Sequence, residues 1–150
     1  MKLSQDVISF FKEQGFVITS TLDSNGAIHS SCKGIVDIKD NGECYILDLY
    51  HGRTYRNLKS NSTLSITSVD EHNYKGYTLK GKAEIINIDK IKGSILKKWE
   101  KKLSGRVSKR LVKNIREDRK HLHHPEAGFP HPKYLIFLKI EEVVDLAPRK

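Results

Sequence analysis

The chain has 150 residues, of which 37% are apolar and 30% charged, a mixture that fits one globular domain with a modest core and excludes a disordered segment. No window approaches eighteen apolar residues, and Met1 to Phe11 lacks a long apolar run ending in small residues, so the expectation is a cytoplasmic protein with neither a helical membrane span nor a secretory leader. The net charge of +9 is concentrated: residues 90–120 hold thirteen Lys or Arg against Glu100, Glu117 and Asp118, which suits a polyanion or an anionic cofactor as well as a solvated helix face.

In chain order, Ser4 is placed to cap a first helix, with Asp6 in its positive first turn, Val7, Ile8 and Phe11 on one stripe, and Gly15 at its end. Such a helix would cover one end of a barrel. The run 16–22 (FVITSTL) is rich in β-branched residues and reads as a strand, and the Asn25-Gly26 turn leads into a long second strand over 27–38. A second Asn-Gly pair, Asn41-Gly42, connects to a strand over 43–49, which predicts an antiparallel meander. The stretch 54–60 lacks alternation and reads as a short helix crossing to a strand over 62–69. Residues 74–88 form another long strand, with Gly76 and Gly81 marking bulges or close backbone approaches. A helical tract over about 89–120 follows, with Ile91, Ile95, Trp99, Leu103, Val107, Leu111 and Ile115 recurring every four residues. The His- and Pro-rich segment 121–132 is a loop, and 134–140 (YLIFLKI) is the closing strand. The fold expected is therefore mainly β: a six-stranded antiparallel split β-barrel with peripheral helices, one domain over 1–150 carrying the basic helical tract as an insertion.

Two cysteines, Cys32 and Cys44, lie on separate strands and do not make a disulfide scaffold; both are expected to be reduced and at least partly buried. His121, His123, His124 and His131 offer imidazoles to a transition metal or haem, but no paired cysteines complete a coordination set, so no metal site is assigned and a surface or substrate-covering loop is expected. Asp48 and His51 could form an acid/base pair; a solvent-facing salt bridge at a strand end is the plainer reading. There is no G-x-G-x-x-G, P-loop, H-E-x-x-H or G-x-S-x-G motif in a suitable context.

Four segments taken in order carry a resemblance: 16–26 (FVITSTLDSNG), 29–36 (HSSCKGIV), 53–58 (RTYRNL) with Asn61, and 76–85 (GYTLKGKAEI). With them the chain resembles the pyridoxamine 5'-phosphate oxidase-like family of flavin-binding split barrels, over residues 8–88 and again over 134–146. The resemblance implies a homodimer with two FMN molecules at the subunit interface, each touching both chains. It implies that Lys33 faces the FMN phosphate, that the backbone of Ser30, Ser31 and Cys32 runs beside the isoalloxazine ring, and that Arg53 and Thr54 are the basic and hydroxyl groups at the start of the short helix. Asn57 is also counted among the cofactor-binding residues, although with Leu58 it matches an Asn-Leu pair whose main role is turn structure and packing, and Tyr77 is a further candidate for the cofactor or the dimer seam.

Elementary chemistry agrees with these assignments. A phosphate monoester carries close to two negative charges, which Arg53 would meet with a rigid donor fork, Lys33 with a mobile point charge, and Thr54 and the free N–H groups of a first helical turn with hydrogen bonds. The plain alternatives are a surface Arg53 and a Lys33 stem with its amine in water. The arginine-containing strand pattern and the C-terminal arginine pattern of genuine pyridoxamine-phosphate oxidases are absent from 27–33 and 143–150, so vitamin B6 oxidation is not the expected activity. The expected function is FMN-dependent redox chemistry on a small molecule, with no catalytic side chain assigned. A non-catalytic flavin carrier and a nucleic-acid binder using the 90–120 tract are the alternatives.

Overall fold

The structure is a computed structural model that describes residues 1–91, 93–102 and 134–148. Its strands are β1 (Val17–Leu22), β2 (Ile28–Ile38), β3 (Glu43–Asp48), β4 (Thr63–Asp70), β5 (Lys75–Asn87) and β6 (Tyr134–Asp145). All neighbours are antiparallel, and the sheet closes in the order β1-β2-β3-β6-β5-β4, with β4 returning to β1. The first three strands form the expected meander, and Gly26 and Gly42 adopt φ of 83° and 89° in the two Asn-Gly turns, where a side chain would be strained.

Two helices sit at opposite ends of this barrel. Helix α1 (Gln5–Glu13) starts at Ser4, whose hydroxyl accepts from the Val7 N–H, and buries Val7, Ile8, Phe10 and Phe11. Leu3, just before it, donates its N–H to the Asp40 carbonyl, which fixes α1 beside the β2–β3 turn. Helix α2 (Arg53–Ser60) follows β3 and closes the other end, against β1, β2 and β5.

The ladder departs from regularity where the backbone needs it. Between Lys80 and Gly81 the β5–β6 register shifts, and a Cβ on Gly81 would lie 1.9 Å from the Lys139 carbonyl oxygen, so only glycine fits. Gly76 pairs in register with Val69 and is a close approach without a bulge, since a Cβ there would lie 3.2 Å from the Ser68 carbonyl oxygen. A bulge between Ile35 and Asp37 was not foreseen, and every residue from Gly34 to Ile38 is buried. Val36 is covered from outside the barrel: residues 93–102 are helical, and Ile95 and Trp99 pack on Val36 and Leu135. Lys98 bonds the buried Asp37 at 2.8 Å and Lys102 donates to the Ile35 carbonyl. Two lysines of the basic tract are thus turned to the barrel; its remainder from 103, and the histidines at 121–131, lie outside the described residues.

Strand β6 runs five residues past the expected stop at Ile140, because Glu142 and its neighbours continue to pair with β5 and Glu142 lies 3.8 Å from Lys80. The cysteines divide. Cys44 is fully buried, and burial pushes its thiol pKa well above the usual value. Cys32 is exposed, contrary to expectation, because alternation along β2 turns it to the outer face. Both are free thiols. Among the described residues, no helix is long and apolar enough to cross a membrane.

Candidate functional site

The interior of the barrel changes character along its axis. Toward α1 it is filled by Val17, Ile35, Ile38, Cys44, Ile46, Leu138 and Ile140. Toward α2 the inward positions become Thr19, Thr21, Ser31, Lys33 and Asp48. A buried polar group must find a partner, and here helix α2 supplies several.

Thr54, only 3% exposed, points its hydroxyl at Ser31 (Oγ1···Oγ 3.0 Å), and Ser31 meets Thr19 Oγ1 at the same distance. Asn57 donates its amide to Thr21 Oγ1 at 3.0 Å and to Asp23 Oδ1 at 2.9 Å. These bonds pin α2 to the β1–β2 hairpin. They make Thr54 and Asn57 internal anchors of the helix. Arg53 is different: its side chain is 58% exposed and lies 4.0 Å from Asp23. With Arg56, Asn57, Ser60, Asp23 and Asn25 it lines a surface cavity of about 430 Å³ beside the first turn of α2. That turn has no acidic residue and Gly52 supplies no side-chain cap, so no capping side chain or acidic residue offsets the partial positive charge of the helix start.

Lys33 does not extend its amine into water. Its Nζ bonds Asp48 Oδ1 at 2.9 Å, and the two side chains are 14% and 5% exposed. The other carboxylate oxygen meets the phenol of Tyr134, which also lies 3.0 Å from the Tyr50 carbonyl oxygen. Burial first, then the hydrogen bond to Asp48 and the nearby Asp48 and Tyr55, raise the Tyr134 pKa well above the usual value for a phenol. Asp48 is therefore a buried counter-charge instead of half of a solvent-facing pair with His51. The His51 ring stacks on Tyr134 and Tyr55, with centroids 5.3 and 4.3 Å away.

Ser30 and Cys32 occupy the outer face of β2, opposite Ser31 and Lys33. Among the described residues, β2 over Ile28–Lys33 is paired with β1 alone, since its register with β3 begins at Gly34. The backbone of Ser30–Cys32 thus runs along a one-sided strand edge. Tyr77 lies at the opposite end of the barrel, edge-on to Phe10 of α1 at 5.2 Å, and is not brought together with the other candidates. Sequence reasoning missed the Asp48–Tyr134 pair. A usable signal was present: Lys33 falls on the inward phase of β2 and Asp48 on the inward phase of β3, and a buried cation needs a buried anion.

The family profile for pyridoxamine 5'-phosphate oxidase matches residues 3–139. The chain belongs to that family. Its fold is also that of Group A Streptococcus HupZ (17% identity, TM-score 0.65, covering 97% of this chain and 94% of that one). A protein from Clostridium acetobutylicum related to general stress protein 26 of B. subtilis, of the pyridoxinephosphate oxidase family, is similar at 16% identity and TM-score 0.60, covering 93% of this chain and 84% of that one. HutZ, the heme storage protein from Vibrio cholerae, gives 18% identity and a TM-score of 0.53 over 96% of this chain and 94% of its own. At such identities these likenesses show the fold alone. No curated sequence matches the chain.

Proposed function

We propose that the α2 end of the barrel binds FMN and that the protein is an FMN-dependent oxidoreductase acting on a small molecule. The observation that carries this reading is the uncapped, acid-free first turn of α2 with exposed Arg53, placed beside the one-sided edge of β2 at Ser30–Cys32. A helix start with a guanidinium suits a phosphate monoester, and a strand edge offers N–H and C=O groups to the polar rim of a flat ring. Arg53 and the first-turn amides would hold the phosphate, Lys33 would add charge from the barrel interior, and Thr54, Ser31 and Asn57 would fix the helix that presents them. When bound, FMN supplies the redox chemistry; the chain's part is to bind, orient and shield it.

A second copy of the chain fits this reading. The outward residues of β1, β2 and β4, from Ile18, Ser20, Ile28, Ser30 and Cys32 to Ser65, Thr67 and Val69, carry no charge, and Ile18, Ile28 and Val69 are exposed. An uncharged face with exposed branched side chains, in a chain with 30% charged residues, favours self-association. Tyr77 would join a cofactor site only from such a partner.

The test is a titration of the purified full chain with FMN, following flavin fluorescence, together with sedimentation at micromolar concentration. Quenching with saturation and a dimeric sedimentation coefficient are expected, and turnover with an added reductant separates an enzyme from a flavin carrier. Binding of haem with no binding of FMN would overturn the assignment.

A further inference from the structure

The lysine that the proposed site needs is already engaged. Lys33 holds Asp48 Oδ1 at 2.9 Å, and Ser31, two residues earlier on the same face of β2, touches Thr54 in the first turn of α2. An anion at that turn that drew on Lys33 would compete with Asp48 for the same ammonium group. If Lys33 turned away and nothing else changed, a carboxylate 5% exposed would be left without its cation, a costly state.

The geometry around Asp48 offers a way out. The Tyr134 phenol carries one hydrogen and has two acceptors in reach, Asp48 Oδ2 and the Tyr50 carbonyl oxygen at 3.0 Å. With Asp48 ionised and paired to Lys33, the phenol donates to Oδ2. With Asp48 protonated on Oδ2, that O–H donates to the phenol oxygen and the phenol hydrogen turns to the Tyr50 carbonyl. Both arrangements keep the phenol and Asp48 Oδ2 hydrogen-bonded on the same heavy-atom positions, and in the second Oδ1 gives up Lys33 as part of a neutral carboxyl in place of a carboxylate.

We propose that Asp48 and Tyr134 form a proton-coupled latch on Lys33: binding of a phosphate monoester draws Lys33 off Asp48, and Asp48 takes up one proton from solvent. This rests on the FMN reading above and adds to it a residue that sets affinity and its pH dependence. Among the described residues, Lys33 from β2, Tyr134 from β6, and the Tyr55 and His51 rings that pack on Tyr134 from α2 and the preceding loop are the titratable groups facing this centre. The proton balance is simple. Uptake of one proton with the ligand makes affinity fall tenfold for each unit of pH increase, while loss of the latch removes the slope.

The experiment is calorimetric titration of FMN into the full-length protein between pH 7 and 8.5, where the phosphate of FMN is already largely dianionic, in buffers of different ionisation enthalpy. Wild type is expected to take up close to one proton per FMN, and riboflavin, which lacks the phosphate, to bind without uptake. Asp48→Asn is expected to bind FMN at least tenfold more tightly at pH 8 with no proton uptake. Tyr134→Phe keeps the Lys33–Asp48 pair but removes the partner of the protonated state, so it is expected to bind FMN several-fold more weakly. FMN binding by wild type with no net proton uptake would overturn the latch and leave the flavin reading standing. Absence of FMN binding by the folded chain would overturn both. The wild-type proton count needs no variant to fold.

Discussion

The two ends of this barrel are closed in opposite ways. At the α1 end, Val7, Ile8, Phe10 and Phe11 meet an apolar interior, and Phe10 packs edge-on to Phe11 and Tyr77. At the α2 end, Thr54 and Asn57 meet a hydroxyl-lined interior and the closure is made by side-chain hydrogen bonds. Apolar burial is non-directional and tolerates variation in shape, whereas hydrogen bonds fix position and leave charge to be used. In the proposed reading, stability rests chiefly on one end and binding on the other.

That division can be broken most directly at Phe11, which is fully buried. Replacing it with alanine removes a large ring from the α1 end and should destabilise the fold by about 3–5 kcal/mol, measured by urea unfolding. Ligand affinity of the remaining folded protein should be unchanged. At the other end, Asn57→Ala removes two of the ties between α2 and the β1–β2 hairpin, the bonds to Thr21 and Asp23. A loss of about 1–3 kcal/mol is expected, and here FMN affinity should fall as well, because the helix that presents Arg53 loses its anchor. A loss of stability without loss of affinity would show that α2 keeps its place by packing through Leu58 instead. The smallest effect is expected at Ser4. Its hydroxyl caps α1 at 3.3 Å, and Ser4→Ala should cost about 1 kcal/mol with no effect on binding.

Much of the architecture was legible in the chain, for local reasons. Two Asn-Gly turns set the meander, Ser4 and Gly52 bracket helices that begin where expected, and Gly81 marks a true bulge. What escaped depends on long-range partners. The bulge at Ile35–Asp37 accompanies a helix some sixty residues later in the chain covering Val36, and the extension of β6 past Ile140 follows from pairing with β5, which no property of the 141–145 segment signals. In the candidate site, strand alternation alone puts Ser31 and Lys33 on one face of β2 and Ser30 and Cys32 on the other. It could not show that Lys33 is held by Asp48, because that pair joins two strands and is completed by Tyr134, 86 residues from Asp48. The exposed Cys32 has a similar origin: strand phase gives the face, but only the closed barrel tells which face is inside.

The central claim is that the α2 end is built for a phosphate, and Arg53 tests it with least ambiguity, since its exposed side chain contributes little to the fold. Calorimetric titration of FMN and of riboflavin into wild type and Arg53→Ala compares ligands that differ by the phosphate alone. Wild type should prefer FMN strongly, and Arg53→Ala should lose about 1.5–3 kcal/mol of FMN binding, roughly a ten- to hundred-fold drop, with riboflavin affinity unchanged. Equal affinity of wild type for FMN and riboflavin, or an unaltered FMN preference in the folded variant, would contradict the account.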